Sequence, residues 1–265
     1  MTIWESALLG LVQGLTEFLP VSSSGHLELA KALMNDSVVA EAKLHFTVVL
    51  HAATALATLL VFRRDIASIL RGLMRGESEA VQFTLAIIIS MIPAGLIGLF
   101  MEDYLEEIFS GSLILVGFML LITGVLLFAA DRAKETDQGV NSKSAIIIGI
   151  AQAIAIMPGI SRSGATIATS VLLGLDRARA ARFSFLMVVP LILGKMLMDI
   201  RSMSVGTFEG DVEFAPLATG FVVAFVTGVL ACRAMIALVK RAKLSAFAYY
   251  CFAVGAAAMI WKLFL

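Results

Sequence analysis

Apolar residues gather in six long stretches along this 265-residue chain, at about 41–62, 80–101, 111–131, 183–200, 215–239 and 245–264. Each approaches the roughly 20 residues of helix that a bilayer crossing needs. Two other apolar segments, 4–19 and 145–157, are shorter and end at Pro20 and Pro158. A Ser/Gly-rich turn follows each proline, and a second short helical stretch follows each turn, at about 22–34 and 161–174. Proline interrupts the helical hydrogen-bond ladder, so the pattern predicts helices broken inside the membrane. No segment alternates in polarity as a membrane β-strand would.

Charge decides how the segments thread. Arginine and lysine collect at Arg63, Arg64, Arg71 and Arg75, at Arg132, Lys134 and Lys143, at Arg177, Arg179 and Arg182, and at Lys240, Arg241 and Lys243. The connections at 102–110 and 199–213 are acidic, with Glu102, Asp103, Glu106 and Glu107, then Asp199, Glu209, Asp211 and Glu213 against Arg201. Basic loops favour the cytoplasmic side. Six crossings place the four basic islands inside and both acidic connections outside only if each broken segment enters and leaves on one face. The expected fold is an all-α integral membrane protein, a single polytopic domain over 1–265, with six full transmembrane helices and two re-entrant helical hairpins. Both termini are then external. The first hairpin dips in from outside and the second from the cytoplasm.

The hairpins also resemble each other. "GLVQGLTEFLPVSSSG" (10–25) lies over "GIAQAIAIMPGISRSG" (149–164) at a constant offset of 139, with the prolines one position out of register. Gln13 falls on Gln152, Ser22 on Ser161, Ser23 on Arg162, Ser24 on Ser163 and Gly25 on Gly164; "HFTVVL" (45–50) echoes "RFSFLM" (182–187). Repeat 1 covers about 1–132 and repeat 2 about 143–265. With one hairpin and three crossings in each, the second is inverted relative to the first. Hairpins from opposite faces can meet near mid-membrane, where irregular backbone is tolerable only against protein or a watery cavity.

Composition narrows the classes. The chain is 60% hydrophobic and 15% charged, against about 25% charged in soluble domains. Its formal net charge of zero gives no ground for acidic partners, and nothing supports nucleic-acid binding. Cys232 and Cys251 lie in apolar runs without metal-ligand spacing. There is no Gly-rich nucleotide loop or G-x-S-x-G elbow. No basic residue precedes the first apolar stretch, unlike a standard signal peptide.

The polar chemistry sits in the turns. Ser22, Ser23 and Ser24, and Ser161 with Ser163, follow the prolines and suit helix N-caps. A helix start presents free N–H groups and a positive dipole end, which favour an anion; simple capping at a break is the plainer reading. Arg162, deep in an apolar zone, marks a site and can grip phosphate with two bonds, or pair with Glu17. Gln13 and Glu17 share a helix face at i, i+4. A carboxylate beside phosphate needs a divalent cation between them, and magnesium is commonly held in this way. His26, at i+3 from Ser23 and i+4 from Ser22, has the spacing of an acid/base partner. His45 and His51 read as helix residues, Glu28 and Lys31 as interfacial, and Lys195 with Asp199 as an intramembrane pair.

"QGLTEFLPVSSSGH" and "PGISRSGAT" resemble the two motifs of the undecaprenyl-diphosphate phosphatase family, of the bacterial bacitracin-resistance type, and "ARFSFLMVVP" (181–190) is similar to a further family segment. The resemblance implies an enzyme of the bacterial cytoplasmic membrane that hydrolyses undecaprenyl diphosphate to undecaprenyl phosphate and inorganic phosphate, recycling the carrier for envelope glycans. It implies Glu17 and Gln13 at a divalent cation (Mg2+ or Ca2+) and the diphosphate, Ser23 as nucleophile, His26 as its acid/base partner and Arg162 as clamp. Ser22, Ser24, Ser161, Ser163 and Thr166 would bind phosphate. Whether serine, histidine or water attacks stays open, as does the oligomeric state. The first hairpin carries most of the cluster, so the expected active site opens externally. The rival expectation is a transporter or flippase of a phosphate-bearing lipid, because inverted repeats and broken helices are transporter architecture.

Overall fold

The computed structural model describes the chain apart from residues 35–42, 110–111, 135, 137, 206–213, 242 and 265. Lys195 and Asp199, the His45 side chain and the acidic side chains of the two connections lie outside the described residues. Eleven helices follow in order among the described residues: α1 (Ile3–Thr16), α2 (Ser23–Leu33), α3 (Lys43–Val61), α4 (Arg63–Met74), α5 (Ser78–Phe109), α6 (Leu113–Asp131), α7 (Ser142–Ile154), α8 (Arg162–Leu172), α9 (Arg177–Val205), α10 (Phe214–Arg241) and α11 (Ser245–Phe264).

The two short apolar segments form α1 and α7, and each opens on a reciprocal cap. Thr2 Oγ1 accepts from Glu5 N at 3.2 Å while Glu5 accepts from Thr2 N at 2.7 Å. Asn141 and Ser144 exchange the same pair of bonds at 3.0 and 2.9 Å. Such boxes satisfy N–H groups that a helix start leaves unpaired. Both helices stop just before the proline turns, as expected.

Four helical stretches are long and apolar enough to cross a membrane: Ser78–Met101, Leu113–Asp131, Phe214–Val239 and Ser245–Phe264. They make the chain a multi-pass membrane protein. The other two expected crossings correspond to α3 and α9. At Phe62 the chain bends by 67° from α3 into α4, a helix that lies within the first basic island. α9 spans the stretch at 183–200 but begins in the arginines at 177–182.

Helix crossings recur at matching positions. A Cβ at Gly10 of α1 would stand 2.6 Å from Gly220 O of α10, and one at Gly149 of α7 would stand 2.5 Å from Ser90 O of α5. Gly10 and Gly149 are 139 residues apart. In the α6–α11 crossing, Gly117 and Gly255 oppose one another, each Cβ position lying 2.8 or 2.7 Å from the other's carbonyl oxygen. These glycines let backbones approach without hydrogen-bond partners between them.

Backbone cannot move aside as a side chain can, so Gly10→Leu is expected to force α1 off α10. Overpacking of this kind costs about 1–3 kcal/mol, or a drop of roughly 2–12 °C in Tm for a chain of this size. Gly95→Ala, where nothing lies within 4 Å, is expected to leave Tm unchanged. Thermal unfolding in detergent checks both.

The basic islands described converge on one end of the bundle. Arg182 Nε donates to Asp65 Oδ1 at 2.7 Å, joining α9 to α4. Arg177 Nη1 donates to Asp131 Oδ1 at 3.3 Å, and the same oxygen accepts from Leu244 N at 2.8 Å, joining α9, α6 and α11.

Candidate active site

Both proline turns build the same cap. Ser22 Oγ accepts from Gly25 N at 3.3 Å, and Ser161 Oγ accepts from Gly164 N at 3.0 Å. Ser22 and Ser24 hydroxyls are 3.3 Å apart, as are those of Ser161 and Ser163. The two turns touch reciprocally: a Cβ at Gly25 would stand 3.1 Å from Gly159 Cα, and one at Gly164 would stand 3.3 Å from Pro20 Cβ. A helix of the other half props each turn. Thr123 of α6 donates to Gly159 O at 3.1 Å and accepts from Ser161 N at 3.0 Å, while Cys251 Sγ of α11 lies 3.8 Å from Pro20 O.

Ser22 has a φ of +71°, a non-glycine value found at no other described residue. Holding a serine there costs on the order of 1–3 kcal/mol and is typical of sites where geometry outranks stability. It directs the next residue, Ser23, into the first position of α2.

Arg162 occupies the first position of α8, so Ser23 and Arg162 are equivalent in the two turns. Both reach one carboxylate. Ser23 Oγ donates to Glu17 Oε2 at 2.6 Å, and Gln13 Nε2 donates to the same oxygen at 3.1 Å. Arg162 Nη2 donates to Glu17 Oε1 in an ion pair. The Glu17 side chain is only 6% exposed and that of Arg162 26%. Glu17 is also the C-cap of α1, where the helix dipole disfavours negative charge. Its ionised form is compensated by Arg162, Ser23 and Gln13.

Two buried atoms in this cluster have no partner: Gln13 Oε1 and Arg162 Nη1. Leaving such groups unpaired costs about 1–3 kcal/mol each. One is an acceptor suited to a cation and the other a donor suited to an anion. Arg162 also lines a narrow cleft, with Glu17, Ser163, Thr58 and Ser184 at its polar part and Phe18, Phe185, Val188 and Ile192 around them.

The structure therefore gathers Glu17, Gln13, Ser23, Arg162 and Ser163 at one place. Ser22, Ser24 and Ser161 shape the turns that hold them. Two of the expected site residues hold other partners. His26 does not meet Ser23: its Nδ1 lies 2.8 Å from Ser22 O, an acceptor only, so Nδ1 donates and Nε2 accepts from Tyr250 Oη at 2.8 Å. The imidazole also stacks on the Tyr250 ring, 5.6 Å between centroids. Thr166 is fully buried and is not among the residues that line the cleft. Its hydroxyl donates to Arg162 O at 2.8 Å and shares a 2.6 Å bond with Ser184, tying α8 to α9.

Sequence reasoning missed Thr58, Ser184 and Tyr250. Ser184 lay inside the quoted "ARFSFLMVVP", which was a usable signal. Tyr250 lies 224 residues from His26 and gave none. Elsewhere, His51 Nδ1 bonds to Thr47 O at 2.9 Å, as a helix residue would, and Glu28 pairs with Lys31 at 2.7 Å.

A family model for the bacitracin resistance protein BacA matches residues 6–257. The chain is 58% identical to the undecaprenyl-diphosphatase of Christiangramia forsetii, with 98% of each chain covered. It is 48% identical to that of Parabacteroides distasonis, with 96% of each covered. The undecaprenyl-diphosphatase of Methanobrevibacter smithii is 35% identical, again with 96% of each covered.

Proposed function

The chain belongs to the bacitracin resistance protein BacA family, and from its site we infer that it hydrolyses undecaprenyl diphosphate to undecaprenyl phosphate and inorganic phosphate. One observation carries the reading: Ser23 and Arg162, opening residues of two helices from opposite halves, both bind Glu17. Transport needs binding groups only. A hydroxyl hydrogen-bonded to a buried carboxylate beside a cation-bearing clamp is the arrangement of an activated nucleophile.

In this mechanism Arg162 grips the terminal phosphate, with Nη1 free for it, and the helix starts at Ser23 and Arg162 offset its charge. Ser23 Oγ attacks the terminal phosphorus while Glu17, at 2.6 Å, takes its proton. The bond from phosphorus to the bridging oxygen breaks, and undecaprenyl phosphate leaves. Water then attacks the phosphoserine, releasing inorganic phosphate and restoring Ser23. Glu17 replaces His26 as the base because the serine hydroxyl is bonded to it.

His26 and Tyr250 form a separate hydrogen-bonded pair one turn further on. Tyr250→Phe removes one hydrogen bond, worth about 1 kcal/mol, and is expected to lower kcat severalfold to tenfold with KM unchanged and the pH profile shifted. An unaltered profile would leave His26 with a structural role only.

A divalent cation fits what is present, though only in part. Glu17 and the partnerless Gln13 Oε1 would hold it, and among the described residues no group of three or more His, Cys, Asp or Glu side chains could do so alone. Phosphate oxygens would complete the shell, as is usual for magnesium. When bound, the ion neutralises charge between carboxylate and phosphate. EDTA is expected to abolish phosphate release and Mg2+ or Ca2+ to restore it; full activity in EDTA would remove the ion from the site.

The six-crossing, two-hairpin inverted topology is supported by the recurrent crossings at Gly10 and Gly149 and by the matching turns. An external opening is supported by the packing at the arginine-rich end, where Phe185 meets Phe18 and Phe62, with centroids 6.0 and 5.8 Å apart, and Asp65 pairs with Arg182. Val188 and Ile192 give the polyprenyl chain an apolar wall.

The direct test is phosphate release by the purified chain. Undecaprenyl diphosphate is expected to be cleaved and undecaprenyl phosphate recovered. Lipid movement across vesicles without phosphate release would support the transporter instead.

A further inference from the structure

The helix that hydropathy did not announce, α4, has three faces. Ile66 and Ile69 turn inward onto the main core, next to the buried Phe62. The helix is fixed at both ends. Asp65 pairs with Arg182 at 2.7 Å. Beyond its end, Gly76 at φ +67° turns the chain into α5. Gly72 lets that helix cross so closely that a Cβ there would stand 2.6 Å from Ala80 Cβ.

The outer faces thus have a set direction. Ala67, Leu70 and Met74, spaced i, i+3, i+7, form one stripe, with Leu70 55% and Met74 87% exposed. Arg64, Arg71 and Arg75 form the adjoining stripe, all exposed. Their protein contacts are slight: Arg71 Nε donates to Ala67 O at 3.2 Å, and Arg75 stands 3.8 Å from the exposed Glu77. Arg63 leans back on Leu60 O at 3.2 Å.

We propose that α4 lies in the headgroup layer at the arginine-rich end and binds anionic phospholipid. Its 67° bend from α3 turns it towards the membrane plane if α3 runs across the bilayer. Ala67, Leu70 and Met74 sit among the first acyl carbons, and Arg64, Arg71 and Arg75 lie on lipid phosphates. A helix with one apolar and one basic face settles in that layer, where each arginine attracts anionic lipid. An acidic soluble partner would take the arginines and leave the apolar stripe in water. α4 is continuous with α3, which carries Thr58, and ion-paired to α9, which carries Ser184, so this contact braces two helices that line the cleft.

The test places a fluorophore on Leu70→Cys in the full chain; Cys232 and Cys251 are both buried. The protein is set in nanodiscs of phosphatidylcholine with a minority of phosphatidylglycerol, and the acyl chains of one lipid species at a time are brominated. Brominated phosphatidylglycerol is expected to quench severalfold more per lipid than brominated phosphatidylcholine, against a ceiling of roughly fivefold per arginine in full contact. Both the combined Arg64→Gln, Arg71→Gln, Arg75→Gln variant and high salt on the native arginines should bring the ratio towards one. Equal quenching by both lipids, or a ratio unmoved by salt and by the variant, would overturn the proposal. No quenching by either would place α4 off the bilayer or under another protein, and would overturn it equally. The readout needs no turnover, so its failure is distinct from failure of the phosphatase reading.

Discussion

Arg162→Ala is expected to lower phosphate release from undecaprenyl diphosphate by about a thousandfold, the scale of losing a principal charge-stabilising group in a water-poor site. The loss should appear in kcat and kcat/KM together, because the guanidinium meets charge that grows as the bridging bond breaks. The variant also leaves Glu17 as a buried carboxylate without its cation, which costs about 3–5 kcal/mol. Reduced stability must therefore be separated from lost chemistry. Arg162→Lys makes the separation: it keeps a charge near Glu17 and so should fold, but it lacks the planar fork that holds Glu17 with one arm and reaches phosphate with the other. Folding is followed by a single elution peak in detergent and by Tm. The expected result is a lysine variant of near-native Tm with activity down at least tenfold. Near-native activity in the alanine variant would remove Arg162 from the site.

Ser23→Ala is the second large effect, with an expected loss of about ten-thousandfold or more, since the residue that forms the covalent bond has no replacement. The structure adds a sharper expectation. Because Ser23 Oγ donates to Glu17 at 2.6 Å, Glu17→Gln should approach the same loss, while His26→Ala should lose less than either. A phosphorylated native protein trapped by rapid acid quench should carry the added mass on the peptide containing Ser23. A loss of only tenfold in Ser23→Ala, with no phosphopeptide, would point to direct attack by water, with Ser23 merely holding it in place.

The helices easiest to see in the sequence were those apolar nearly all round. α5, α6, α10 and α11 read directly as crossings. α4 could not be read that way, because its apolar residues are split between a core-facing and an outward stripe and its arginines lower the mean. The pairing of Glu17 with Arg162 was legible because charge at depth demands a partner, and the 139-residue offset placed Ser23 opposite Arg162 correctly. The one-residue slip of the prolines also has a physical basis. Pro20 matches Gly159, whose φ of +95° gives the second turn by backbone freedom what proline gives the first by rigidity.

His26 shows where spacing misleads. At i+3 it shares a helix face with Ser23, yet Ser23 opens the helix and leans to Glu17, while the imidazole folds back on Ser22 O. Face-sharing fixes proximity and leaves hydrogen-bond choice to the neighbours. Tyr250 and Ser184 come from helices remote in the chain, and a hydroxyl within an apolar helix gives no sign of which residue it will meet.

The account depends most on Glu17 and Arg162 acting as one unit drawn from two halves of the chain. The decisive measurement is kcat/KM for phosphate release by Glu17→Gln, Arg162→Lys and the two combined, a cycle that isolates their coupling. The expected result is a double variant no worse than the poorer single one, because breaking either side already disables the pair. Losses that multiply, or a single variant with near-native turnover, would contradict it.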